Sequence, residues 1–106
     1  MPRNGYRGDV LLARIRWFET EEGGRKQIPE GCRYSAPACI DGHSEFPDCS
    51  WSLNIETTSG QTFSRSDKVK IQFFVEQAPH EWLTPGTLFT MYEGRRKVLE
   101  GVIESE

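Results

Sequence analysis

Long apolar runs are missing from this chain: no stretch approaches the roughly 20 residues that a membrane-crossing helix needs, and no apolar stripe of 3.6-residue period persists for three turns. The first absence excludes a helical membrane span, and the second predicts minimal helix. Behind the arginines of Met1-Pro2-Arg3-Asn4-Gly5-Tyr6-Arg7-Gly8-Asp9 there is no apolar h-region, so no secretory signal is expected there and the expected compartment is cytoplasmic. Cysteine is scarce. The three thiols, Cys32, Cys39 and Cys49, make an odd count that fits reduced cysteines better than a disulfide framework. Their spacing to one another and to His43 lacks the tight Cys-x2-Cys pairing of zinc sites, so no metal is expected. The dipeptide Gly-Lys is absent altogether, which removes the phosphate-cradling loop of nucleotide-binding proteins. No cofactor and no nucleotide are therefore expected.

What is present describes one folded domain. A chain of 106 residues buries roughly two-thirds of its unfolded surface, and 36% hydrophobic with 27% charged residues is the balance of a globular protein, not a disordered one. The formal charge of −3 repels polyanions as a whole. Basic residues nonetheless gather in the first third (Arg14, Arg16, Arg25, Lys26, Arg33) and near the end (Arg95, Arg96, Lys97), which leaves room for a local basic face.

Period-2 alternation marks the strands. Val69, Ile71, Phe73 and Val75 alternate with Lys70, Gln72, Phe74 and Glu76; Trp51, Leu53 and Ile55 alternate with Ser52, Asn54 and Glu56; Leu11, Ala13, Ile15 and Trp17 alternate around Arg14 and Arg16. Shorter apolar runs over 34–40, 87–92 and 97–103 are bounded by Gly, Pro and Asp, which punctuate strands. Pro37 has no amide hydrogen, so the second of the six strands should have an edge or bulge there. Six antiparallel strands in about 100 residues predict an all-β, closed six-stranded antiparallel barrel over residues 9–104, preceded by a tail over 1–8. The longest connection, 77–86, should tuck Trp82 and Leu83 against the barrel end.

A Glu-Gly-x-Arg-Lys core occurs twice, as Glu22-Gly23-Gly24-Arg25-Lys26 and as Glu93-Gly94-Arg95-Arg96-Lys97. Each lies between apolar runs, and glycine reaches positive φ without a Cβ clash, so both read as hairpin turns with basic flanks. With Gly31-Cys32-Arg33-Tyr34 between them and Glu100-Gly101-Val102-Ile103 after them, their order and spacing resemble the C-terminal (third) β-barrel domain of elongation factor Tu. The similarity spans roughly residues 9 to 104. It implies a six-stranded barrel which, in the full factor, packs on a GTPase domain and helps hold the stem of aminoacylated tRNA. The chain departs from the family pattern at Arg95, Tyr92, Ala78, Cys32 and Ser35-Ala36, where the family has glycine, arginine, a basic residue, tyrosine and Pro-Gln.

These observations lead to a non-catalytic, stand-alone binding module that acts on a protein partner through Arg25, Lys26, Arg33, Arg95, Arg96 and Lys97. The alternative is a tRNA- or RNA-binding accessory protein, with phosphate contacts from Arg95 and Arg96 and base stacking on Tyr34 or Tyr92. His43-Ser44-Glu45 and His80-Glu81 carry residue types able to do acid-base chemistry, but neighbours on a strand face opposite ways and nothing in the spacing pairs a cysteine with either histidine. No enzyme activity is expected.

Overall fold

Strands form where the sequence alternates: β1 (Leu11–Trp17), β2 (Arg33–Ile40), β3 (Trp51–Thr57), β4 (Ser66–Phe73), β5 (Leu88–Glu93) and β6 (Arg96–Glu104). The computed structural model describes residues 10–104, and the expected tail over 1–8 lies outside the described residues. The strands close in the order β1-β4-β3-β2-β5-β6, every neighbour antiparallel. The fold is thus an all-β, closed six-stranded barrel. Helix among the described residues is limited to two single 3-10 turns, Thr20–Glu22 and His80–Trp82.

Alternation fills the interior. Ala13, Ile15 and Trp17 of β1, Leu53 and Ile55 of β3, Val69, Ile71 and Phe73 of β4 and Phe89 and Met91 of β5 are all buried, as a half-wet strand requires. Two consecutive residues of β6, Val98 and Leu99, are also fully buried. A register shift makes this possible: Met91 faces Leu99, but Tyr92 faces Lys97, so the bulge turns Val98 inward as well. Leu83 closes one barrel mouth and Phe63 the other, with Trp82 packed partly buried against the core. The one buried polar side chain among the described residues, Thr57, donates its hydroxyl to the Gln61 carbonyl at 2.8 Å.

Pro37 sits where its missing amide does least damage. β2 pairs with β3 over Arg33–Ala38 but with β5 only over Ala38–Ile40, so residues 33–37 form a one-sided stretch along the barrel seam.

Three expectations need correction. The first Glu-Gly motif is not a hairpin, because β1 pairs with β4 and β6, not with β2. Its segment makes a 3-10 turn that ends in the left-handed conformation at Gly23, φ 91°. At Gly24 a Cβ would stand 2.4 Å from the Phe18 carbonyl oxygen, so the second glycine allows close backbone approach and the first supplies the turn. The second motif is a hairpin, with Glu93 facing Arg96 and positive φ at Gly94. β4 ends at Phe73, and Val75 is 36% exposed instead of lying in the core. Finally, Cys39 and Cys49 form a disulfide, leaving Cys32 as the free cysteine. The loop from β2 to β3 turns back at once, with the His43 and Ser44 amides both bonded to the Ile40 carbonyl. That reversal brings the two Cα atoms to 4.7 Å, within the range a disulfide spans.

Candidate functional site

Antiparallel closure sorts the connections. Segments 18–32, 58–65 and 94–95 share one end of the barrel, and segments 41–50 and 74–87 share the other. All six basic residues expected to contact a partner therefore fall at the first end, which brings the two Glu-Gly motifs together.

Their link is Glu93. One of its carboxylate oxygens accepts hydrogen bonds from the Arg25 guanidinium and the Tyr34 hydroxyl, so the last residue of β5 joins the first motif to β2. Arg25 also donates to the Gln27 carbonyl at 2.9 Å, and Thr20 donates to the Arg25 carbonyl at 3.3 Å. Burial pushes the Glu93 carboxyl up, but the Tyr34 and Arg25 donors outweigh it and hold the group below its ordinary range. Burial and the adjacent carboxylate drive the Tyr34 phenol well above its ordinary value, so it stays a donor. Tyr34 is half-buried, its ring edge-on to Trp17 with centroids 5.2 Å apart. It is therefore a structural tie and not the exposed stacking platform expected from the sequence. Tyr92 is also engaged, with Phe46 stacked on its ring at 4.7 Å.

The remaining basic residues stand outward. Lys26, Arg33, Arg95, Arg96 and Lys97 are all exposed. Arg33 faces Glu56 across the β2–β3 pair at 3.5 Å, and the Lys97 ammonium lies 5.6 Å from the centre of the Phe18 ring. Lys26, Arg95 and Arg96 have no ion pair among the described residues. Arg95 occupies the second position of a two-residue turn, so its side chain projects from the narrowest part of the hairpin.

The opposite end is built differently. His43 stacks on Trp82 with ring centroids 4.7 Å apart and planes 8° from parallel. Ser44 uses its hydroxyl to accept the Ile40 amide at 2.9 Å, and the His80 ring contacts the Glu76 carbonyl at 2.7 Å. These contacts hold the loops on the barrel mouth. No group of three or more His, Cys, Asp or Glu side chains suited to a metal ion occurs among the described residues.

Sequence reasoning missed a broad groove on the barrel wall. A groove of about 840 Å³ runs outside β5, β6 and β1, roofed by the loop that carries Asp41, Glu45 and Phe46. The available signal was Leu88, an apolar residue at an outward-facing strand position, 55% exposed. No protein-family model, curated protein or solved structure matches this chain. No helix among the described residues is long and apolar enough to cross a membrane.

Proposed function

We propose that this chain is a non-catalytic β-barrel binding module, similar to the C-terminal domain of elongation factor Tu, that acts by docking a protein partner at its basic end. The observation that carries the reading is the hairpin of β5 and β6: Arg95, Arg96 and Lys97 are exposed at the same barrel end as Lys26, on a turn whose base is anchored through Glu93 to Arg25 and Tyr34. A contact surface gains affinity when its side chains start from a fixed backbone, because less freedom is lost on binding. Carboxylates are interspersed at the same end, among them Glu19, Glu21, Glu22 and Glu30. Such mixed charge suits the patterned surface of a protein better than a uniform polyanion.

RNA binding is the rival reading, and it loses its stacking residues because Tyr34 is tied to Glu93 and Tyr92 is covered by Phe46. What remains for RNA is phosphate contact. The cytoplasmic expectation rested in part on unpaired thiols and loses that support with the Cys39–Cys49 bond.

The deciding experiment compares the wild-type chain with Arg95→Glu/Arg96→Glu in two assays: cross-linking in the native cell with identification of partners, and titration with deacylated and aminoacylated tRNA at low and high salt. A specific protein adduct lost in the variant supports the proposal. Salt-sensitive tRNA binding lost in the variant would replace it with the RNA reading, and no difference in either assay would remove the basic end from function.

A further inference from the structure

The groove outside β5 and β6 is lined by none of the six basic residues Arg25, Lys26, Arg33, Arg95, Arg96 and Lys97. Its floor is apolar where Leu88 and Val102 face each other across the two strands, Leu88 being 55% exposed. Phe46, 42% exposed, overhangs this floor with its ring stacked on Tyr92. The cavity is open to solvent and bounded by strands and a loop, which fits an extended chain better than an enclosed small molecule.

Charge identifies the occupant. Each cation of the far rim already has a carboxylate: Arg14 pairs with Glu104 at 2.5 Å, Arg16 with Glu22 and Glu100 at 3.0 and 3.2 Å, and Lys68 with Glu104 at 3.6 Å. The carboxylates of the near rim do not have such partners. Asp41 and Glu45 are exposed and make no ion pair among the described residues. The Asp41 amide donates to the Leu88 carbonyl at 2.9 Å, so an unpaired carboxylate is fixed beside the exposed apolar floor. A chain that places an apolar side chain on Leu88 and Val102 turns its next side chain away and brings the one two residues on, about 7 Å further along, to the same face and toward Asp41 and Glu45.

We infer that this groove docks an extended segment of a partner protein bearing an apolar side chain two residues from an arginine or lysine. The Cys39–Cys49 bond closes the roofing loop, so the wall that supplies Asp41, Glu45 and Phe46 is held against the barrel before the partner arrives. Specificity comes from the two carboxylates, which a segment with acidic residues would meet unfavourably.

The test selects a displayed random octapeptide library on the full chain and maps the strongest binder by amide chemical shifts in nuclear magnetic resonance. The expected result is enrichment of an apolar residue two positions from Arg or Lys, with shifts at 41–46, 88–90 and 100–102. Affinity should fall at least tenfold in Asp41→Lys/Glu45→Lys and in Leu88→Asp. Each variant's melting temperature is checked so that loss of fold is separated from loss of binding. No enrichment, enrichment without a basic preference, or shifts centred on 94–97 would overturn the inference. So would concentration-dependent shifts at the groove without peptide, which would assign the surface to a second copy of the chain. Arg95→Glu/Arg96→Glu should leave peptide binding unchanged, so this surface and the basic end stand or fall separately.

Discussion

Replacing Glu93 with glutamine tests whether one carboxylate holds the two Glu-Gly motifs together. Glutamine keeps the shape and an acceptor oxygen but removes the charge received by Arg25 and Tyr34. Charge-assisted hydrogen bonds contribute about 1.5–3 kcal/mol, roughly twice the neutral kind, so each of the two contacts loses about 1 kcal/mol. The Arg25 and Glu93 side chains are 33% and 32% exposed, and solvent screening reduces the sum to about 1.5 kcal/mol. For a domain of this size that lowers Tm by about 6–12 °C. The pH dependence supplies a sharper check. A carboxylate whose folded pKa is depressed contributes stability above its unfolded value and loses it as pH falls through the folded value. Glu93 lies below its ordinary value of 4.5, so the gap between wild type and Glu93→Gln should be constant from neutral pH down to about pH 5 and close in more acidic solution. Glu22, also held low by Arg16, titrates in both proteins and cancels. Thermal melts followed by circular dichroism at a series of pH values measure the gap. A variant melting within about 1 °C of wild type at pH 7, or a gap that survives at about pH 3, would refute the reasoning.

Gly101→Ala should destabilise the barrel by about 1–3 kcal/mol in urea unfolding, because its Cβ would stand 2.4 Å from the Phe89 ring and 2.9 Å from the Arg14 carbonyl oxygen. A second substitution, Phe89→Leu, should recover part of that loss, and a neutral Gly101→Ala would show that the ring has room to move. Thiol titration of the unreduced, denatured chain should find one reactive group, Cys32, and three after reduction. Cys39→Ser/Cys49→Ser should lose about 2–3 kcal/mol, the chain-entropy value for a loop of this length. Arg95→Glu should stay within about 0.5 kcal/mol of wild type in the same unfolding assay, since that side chain is exposed and lacks an ion pair among the described residues, whereas Arg96→Glu should cost more because it sets a second carboxylate opposite Glu93.

The strands were legible because period-2 alternation is a local signal and a half-buried strand must show it: the runs around Ile15, Leu53 and Ile71 all became strands with those residues inside. Pairing is not local. Nothing within Glu22-Gly23-Gly24-Arg25-Lys26 says that β1 will pair with β4 and β6 while the chain crosses the barrel end to reach β2, so a turn motif looked like a hairpin. The disulfide was hidden for the same reason. An odd count is compatible with one bridge and one free thiol, and the choice between them lies in the reversal at Ile40 and Ser44 that moves Cys49 next to β2. The basic residues were legible as a set, but their division into tied and outward groups depends on Glu93, which arrives from the far end of the sequence.

The same topology gives the barrel an axial polarity. Segments 41–50 and 74–87 contain Asp41, Glu45, Asp48, Glu76 and Glu81 and not one lysine or arginine, whereas the opposite end carries Lys26, Arg33, Arg65, Arg95, Arg96 and Lys97 among its acids. The overall charge of −3 hides this separation, because it sums over both ends. Fields from exposed charges fade over about 8–10 Å at physiological salt, while strands of this length set the two ends about 20 Å or more apart, so the charges of one end are largely screened from the other. The two docking proposals draw on this separation: exposed cations among carboxylates at the hairpin of β5 and β6, and carboxylates without an ion pair in the loop beside Leu88. Which charges meet at each end is set by which connections antiparallel closure gathers there.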